Sequence, residues 1–464
     1  MKKTLLSLIL LAFTGLSMNS QTQLWGTSYS GGANGQGTIF SADASGTNFQ
    51  IAYDFVNATG AMPTGGMCLA NNGKYYGVTE EGGWGNSCCS FNFDPSTRTY
   101  TDIYDFYQYT QYGWHAFSKL LKANSGMLYG LAGLGGANGG GVIYRIDPTN
   151  DTYTDVYDFD ITNGSNANGS LIQGSDGKLY GMTQAGGANA EGVIFSFDPA
   201  IANYTKLYVF NSATGSSPSY GGLLQANDGK LYGMTQMGGA NGLGVLFSFN
   251  LSNGDYTDLY DFNAANGSSP NGSVIQATDG KLYGMTSAGG SNNLGVIFSY
   301  DITLNSYSNL VNFNGTNGAS PRRSLFQASN GKLYGTTNAG GATSEGVAFS
   351  YDITSTTYTK LIDFSSLTTG ANPDCEFAES PMSVSVNNLN AKSELNIYPN
   401  PANNYITIAN GNKDEIVQFT DILGRELATV KTIALGKTTL DISTYPSVFF
   451  AKMQSGAVKK IVKK

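Results

Sequence analysis

The chain has 464 residues and a net charge of −8, yet only 12% of its residues are charged and 61 are glycine. Tyr and Phe together outnumber Lys and Arg and recur in regular apolar runs, which argues against disorder despite the glycine. An acidic body without a phosphate-neutralising basic patch argues against nucleic acid as a partner.

Residues 1–20, MKKTLLSLILLAFTGLSMNS, have the form of a signal peptide: Lys2 and Lys3, an apolar run, then small residues before Gln21. The run is too short for a comfortable membrane span, and no cysteine stands at the cleavage point to carry a lipid. An exported, soluble, monomeric chain is expected. In an oxidising compartment Cys68, Cys88, Cys89 and Cys375 could pair. Their spacing fits no metal motif and leaves the connectivity open, and no cofactor is expected.

From Leu24 onward one pattern repeats. The glycine after an aromatic residue marks its phase at Gly26, Gly77, Gly130, Gly181, Gly233, Gly284 and Gly335, with gaps of 51, 53, 51, 52, 51 and 51 residues. A fixed period of this length defines a repeat architecture. One copy divides into four strand-like runs: Ser170–Ser175, Lys178–Thr183, Gly192–Asp198 and Tyr204–Phe210. Asp176-Gly177, Asp228-Gly229 and Asp279-Gly280 predict type I′ hairpins between the first two runs, with Asn-Gly serving at Gly73 and Gly331. In the third run Val193, Phe195 and Phe197 lie on one side and Ile194 on the other, so both faces are apolar. A strand packed between two neighbouring sheets has that pattern. Four-stranded repeats of this size predict an all-β, seven-bladed β-propeller over residues 21–386.

The second, third and fourth runs occur seven times, but the first occurs only six, at Met67, Leu120, Leu171, Leu223, Val274 and Leu325. One period past Ser324 lies Cys375, within ANPDCEFAESPMSVSV. A strand near 371–385 is therefore expected to complete the first blade, because an open ring would leave an exposed sheet edge.

The KLYGMT…GVIFSFD…YTKLYDF pattern resembles the two-component-regulator propeller repeats, and more closely the GloVer-type tandem repeats of exported bacterial proteins. The resemblance spans Leu24–Phe364 and implies a propeller without an agreed activity.

In antiparallel blades the connections after strands two and four fall on one face. Here these are the longer AGGAN and FN-x-x-NGSSP loops, whose Gly, Asn and Ser serve backbone geometry in most blades. Asp54, Asp105, Asp158, Asp261 and Asp363 recur before Phe, and Asp94, Asp147, Asp198, Asp301 and Asp352 recur after the third strand. Residues so repeated are expected to be turn or cap devices rather than catalytic acids. Glu80 and Glu81 point apart if extended. His115, the only histidine, has no nucleophile motif beside it, so a triad is not expected. The Gly-rich loops lack the lysine or helix of a phosphate cradle.

Where one repeat departs from the rest, individual function can reside. The loop after Asp105 reads FYQYTQYGWH, and Trp84 stands in the preceding loop of the same blade. Trp84, Tyr107, Tyr109, Tyr112, Trp114 and His115 are therefore the candidate ligand site, since flat aromatics with polar neighbours stack on sugar rings. Mutual packing over the blade edge is the plainer alternative. Arg322-Arg323 also breaks the pattern and is expected to be a solvated pair.

After a linker at 387–395 the composition changes, with ten Lys/Arg against six Asp/Glu from Lys392 onward. Ile397-Tyr398-Pro399-Asn400-Pro401, then NNYITI, DILGRELATV and the basic KKIVKK end, closely resemble the type IX secretion system C-terminal sorting domain, over 396–464. Ser447-Val448-Phe449 stands where that family has Gly-x-Tyr. The resemblance implies a small β-sandwich recognised by the type IX machinery, on a protein that is secreted or held at the outer cell surface. The sequence thus points to a noncatalytic propeller binding a glycan or another extracellular ligand. An adhesion scaffold using the whole loop face and a polysaccharide lyase or glycosidase are the rival readings.

Overall fold

The computed structural model describes residues 22–380 apart from 108–111 and 219, and 396–398, 402–409, 415–421, 425–432, 437–453 and 458–463. The expected signal peptide and the 387–395 linker lie outside these. The chain falls into two compact units, Met1–Pro381 and Met382–Lys464. Among the described residues every regular element is a strand.

Among the described residues the first unit carries seven sheets of four or five strands. One sheet shows the plan: Ile172–Gln173, Leu179–Thr183, Val193–Asp198 and Asn203–Val209 pair antiparallel in order. The first run forms a two-residue strand rather than the six residues expected. Between it and the second strand, Gly177 has φ +84° but Asp176 stays outside the left-handed region. The Gly177 N–H donates to the Gly174 carbonyl, and the Gly174 N–H to the Lys178 carbonyl. The connection is thus a type I turn closed by a glycine bulge, not the type I′ turn expected. Asp176 instead anchors the following strand. Its carboxylate accepts the Tyr180 hydroxyl at 2.8 Å, as Asp228 does for Tyr232 and Asp279 for Tyr283.

The third strand is buried on both faces. Val193, Ile194, Phe195 and Phe197 are all in the core. A register shift recurs at one place in every third–fourth pair, between Ile39/Phe40, Ser90/Phe91, Ile143/Tyr144, Ile194/Phe195, Leu246/Phe247, Ile297/Phe298 and Ala348/Phe349. Such a bulge increases the twist of the outer strand. Consecutive sheets are joined by tyrosine. Tyr157 stacks on Tyr204 of the next sheet at 4.4 Å and 3°, and Tyr53–Tyr100, Tyr104–Tyr153, Tyr208–Tyr256 and Tyr260–Tyr307 repeat the contact. The second ring of each pair also donates its hydroxyl back to a loop of the sheet before it: Tyr100 to Thr59 O at 2.6 Å, Tyr256 to Thr214 O at 2.6 Å, Tyr307 to Asn266 O at 2.5 Å.

The sheet that begins the unit is completed from the far end of it. Gln23, Leu24 and Trp25 pair antiparallel with Ser380, Glu379 and Ala378. Cys375, one period past Ser324, does not enter that sheet. Cys375–Glu376 instead pairs parallel with Gly65 and Gly66 of the second sheet. The phase is set by side-chain bonds. Gln225, Gln276 and Gln327 each accept a backbone N–H from the hairpin of the preceding sheet, at Ser175, Asn227 and Thr278. Glu379 does the same for Ser329 at 2.9 Å. All four cysteines are buried free thiols, so the possible disulfides are not formed. Cys88 and Cys89 are consecutive in a strand and so face opposite sides.

Among the described residues the second unit has two sheets, one of three and one of four strands. Ile397, Ile406, Ile408, Val417, Phe419 and Phe449 form its core. Phe449, in the segment that departs from the sorting-domain pattern, is fully buried. The Arg425 guanidinium donates to the Asp421 carboxylate at 2.7 Å. Most of the YPNP segment lies outside the described residues.

Deleting Phe377–Ser380 removes a buried phenylalanine and uncovers the edge at Gln23, Leu24 and Trp25. A loss of at least about 3 kcal/mol of unfolding free energy is expected, as for a truncated core aromatic. An unchanged denaturant midpoint would show that this strand does not hold the unit together.

Candidate functional site

The repeated carboxylates are turn and loop devices. The Asp54, Asp105, Asp261 and Asp363 side chains accept the backbone N–H of residues 33, 84, 240 and 342 at 2.6–2.9 Å, fastening the Gly-Gly loop 21 residues upstream. A side chain on Gly83, at φ +70°, would collide with the Asp105 carboxylate, so glycine is required there. The second series caps the turn after strand three. Hydrogen bonds from Ser96, Thr149 and Ser355 hold Asp94, Asp147 and Asp352 below the usual carboxylate range.

The six aromatic candidates do not form one platform. Trp84 is 72% exposed, and its ring meets Tyr107 edge-on at 4.9 Å. Tyr109 lies outside the described residues. Tyr112 is exposed and lines a separate cavity of about 330 Å³ with the Asp155–Asp158 strand end. There burial pushes the Asp155 carboxyl up to about 6. Trp114 forms an isolated bridge to Leu134, just past the Leu128–Ala132 strand, and packs half-buried on the core between the second and third sheets. His115 lies between Trp114, edge-on at 5.4 Å, and Phe117, with ring centroids 3.8 Å apart. Its φ of 72° is the left-handed conformation that Asn166, Ser217, Ser269, Ser320 and Asn372 adopt in other copies. The departures therefore divide between the surface and the margin of the core, and among the described residues Trp84, against the half-buried Tyr107, is the aromatic that stands furthest into solvent.

A larger cavity, of about 580 Å³, was not singled out by sequence reasoning. Its wall draws on connections along the whole first unit, from Tyr29 and Ser30 through Glu80, Phe117, Tyr220 and Ser287 to Asn338 and Asp374. Glu80 and Tyr29 share one repeat position, that of Gln184, Gln236, Ser287 and Asn338. The signal was present: this position varies while its neighbours repeat. The Tyr29 phenol faces Glu80, and burial together with that carboxylate pushes the phenol up. Burial, reinforced by the Asp374 and Glu81 charges, raises Glu80 as well.

Arg322-Arg323 is not a solvated pair. Arg322 is exposed at the cavity, but Arg323 is 8% exposed. The Arg323 guanidinium binds Asp374 through two bonds, at 2.8 and 2.7 Å. A third bond, at 3.2 Å, reaches the carbonyl of Phe117, 206 residues away in sequence. Its cation lies 5.5 Å from the centre of the Tyr220 ring. Beside it Lys119 pairs with Glu376 at 2.5 Å. Among the described residues no group of His, Cys, Asp and Glu is placed to hold a metal ion.

A sequence profile of the Gloeobacter/Verrucomicrobia repeat matches residues 13–223 and 216–384. The chain belongs to that repeat family. A secretion system C-terminal sorting domain matches residues 396–464, which marks the chain for export to the cell surface or beyond it. Among the described residues no helix is long and apolar enough to cross a membrane. No curated protein matches the chain. Among solved structures, the periplasmic gluconolactonase of Pseudomonas aeruginosa is similar at 15% identity and TM-score 0.54, over 77% of this chain and 98% of that one. A protein of Bacteroides fragilis, provisionally assigned as a 6-phosphogluconolactonase, is similar at 16% identity and TM-score 0.54, over 78% of this chain and 99% of that one. Likeness at this level shows a propeller-like fold and nothing of activity.

Two outcomes follow from these placements. Trp114→Ala should cost about 2 kcal/mol of stability, less than a fully buried aromatic because the ring is half-buried against the core, measured by chemical unfolding. Burial lowers His115 to about 4, so the folded chain carries it neutral where the unfolded chain, near 6.5, would protonate it. That contribution is fully present above about pH 6.5 and is lost as pH falls toward about 4. His115→Asn keeps the left-handed backbone and removes the titration. Its melting temperature should therefore rise relative to the parent chain as pH falls through that window, and a pH-independent difference would contradict the assignment.

Proposed function

We propose that the chain is an exported seven-bladed β-propeller that binds an extracellular glycan without transforming it, through Trp84 and Tyr107. In this reading the seven sheets are the blades, and Ala378–Ser380 closes the ring by completing the first. Residues 1–20 direct the chain out of the cytoplasm and are removed. Residues 396–464 form the sorting domain that the type IX machinery recognises.

The observation that carries the binding role is the exposed Trp84 ring held against Tyr107 on a loop that Asp105 fixes in place. What sets Trp84 apart from the other exposed apolar side chains is a second aromatic ring held against it, which gives a ligand two faces to meet. Indole and phenol rings offer the flat apolar face and polar edge that suit a sugar ring. Binding is preferred to turnover because the recurring carboxylates are spent on loop and turn hydrogen bonds.

Glycan-array binding by the exported chain tests this. Trp84→Ala should weaken the bound glycan by about fivefold, from about 1 kcal/mol of lost aromatic contact. Because the ring is exposed, the melting temperature should not move. Absence of any bound glycan, or equal binding by Trp84→Ala, would overturn the assignment.

A further inference from the structure

The 580 Å³ cavity is a second candidate site, independent of the aromatic rim. Its size suits one or two sugar rings. The wall is built mainly of hydroxyl, amide and charged groups, with Phe117 and Tyr220 as flat apolar surfaces. One wall group is unsatisfied. Thr64 is 2% exposed, and its Oγ1 has no hydrogen-bond partner among the described residues. A buried hydroxyl without a partner costs free energy that a polar ligand would recover.

The charges narrow the ligand class. Arg323 and Asp374 neutralise each other, and the remaining reach of Arg323 goes to the Phe117 carbonyl. Glu80 faces the Tyr29 phenol. Arg322 stands at the same cavity with no ion pair among the described residues. Its planar fork matches a carboxylate or a phosphate. A phosphate would set about two negative charges beside Glu80 and Asp374 with one free guanidinium to balance them. A carboxylate brings one.

We propose that this cavity binds a sugar acid of the hexuronate class, with Arg322 holding the carboxylate and Glu80 and Thr64 bonding its hydroxyls. Neither Trp84 nor Tyr107 takes part, so the two sites fail or hold separately.

Calorimetric titration of the exported chain with glucuronate, galacturonate, glucose and glucose 6-phosphate at neutral pH tests the proposal. At least one uronate should bind, and glucose should bind at least tenfold more weakly. Arg322→Gln should lose at least tenfold in uronate affinity with an unchanged melting temperature, while Arg322→Lys, which keeps the charge but not the fork, falls between. Thr64→Val, nearly isosteric, should weaken uronate binding several-fold, and Trp84→Ala should leave it unaltered. The proposal is overturned if neither uronate binds, if glucose binds equally well, or if glucose 6-phosphate binds more tightly. Uronate affinity insensitive to Arg322→Gln would overturn it too.

Discussion

Every sheet of the first unit must bury two apolar faces, and the tyrosine contact between consecutive sheets shows how that requirement is met. A stack such as Tyr157 on Tyr204 buries two rings, and a hydroxyl such as that of Tyr204 bonds to the backbone of the sheet before, here at Asn163. Without the hydroxyl bond, a buried phenol would carry an unsatisfied polar group. With it, the contact fixes both separation and register between neighbours. Shape complementarity is thus repeated from sheet to sheet rather than concentrated in one central core.

The same economy governs polar residues on the loop face. An aspartate that recurs before Phe fastens a Gly-Gly loop, and one that recurs after the third strand caps a turn. Such residues are fixed by the repeat and are not free to serve a ligand. Positions that vary between copies are. Tyr29 and Glu80 occupy the place of Gln184 and Asn338 and bring a phenol and a carboxyl to the large cavity. Arg323 acts there as a cross-tie. It joins the segment before the seventh sheet to Asp374 and to the carbonyl before the third. A buried ion pair of this kind is costly to break, because removing one partner strands the other charge.

Much of the plan was legible in the chain itself. Seven phased glycines, the turn pairs and the doubly apolar third strand come from local chemistry and spacing, and they specify all-β sheets of about four strands. The roles of the repeated aspartates were also readable, since a residue present in most copies answers to the common backbone. The opening YPNP and closing KKIVKK motifs identified the sorting tail because those residues are contiguous in sequence.

What only the tertiary structure decided is where non-repeating residues meet. Trp84, Tyr107, Tyr112, Trp114 and His115 belong to two loops of one sheet, but the turn at Gly113, with φ +81°, and the bridge from Trp114 to Leu134 separate the Trp84–Tyr107 pair from the Trp114–His115 pair. Arg322 and Arg323 are adjacent, yet one is exposed and the other buried against a carboxylate 51 residues on. Ala378–Ser380, rather than Cys375, completes the first sheet, because pairing register depends on partners more than 350 residues apart. Periodicity within a repeat is written in local spacing. Contacts between distant copies depend on how the sheets are arranged around one another, and that is settled only when the whole unit has folded.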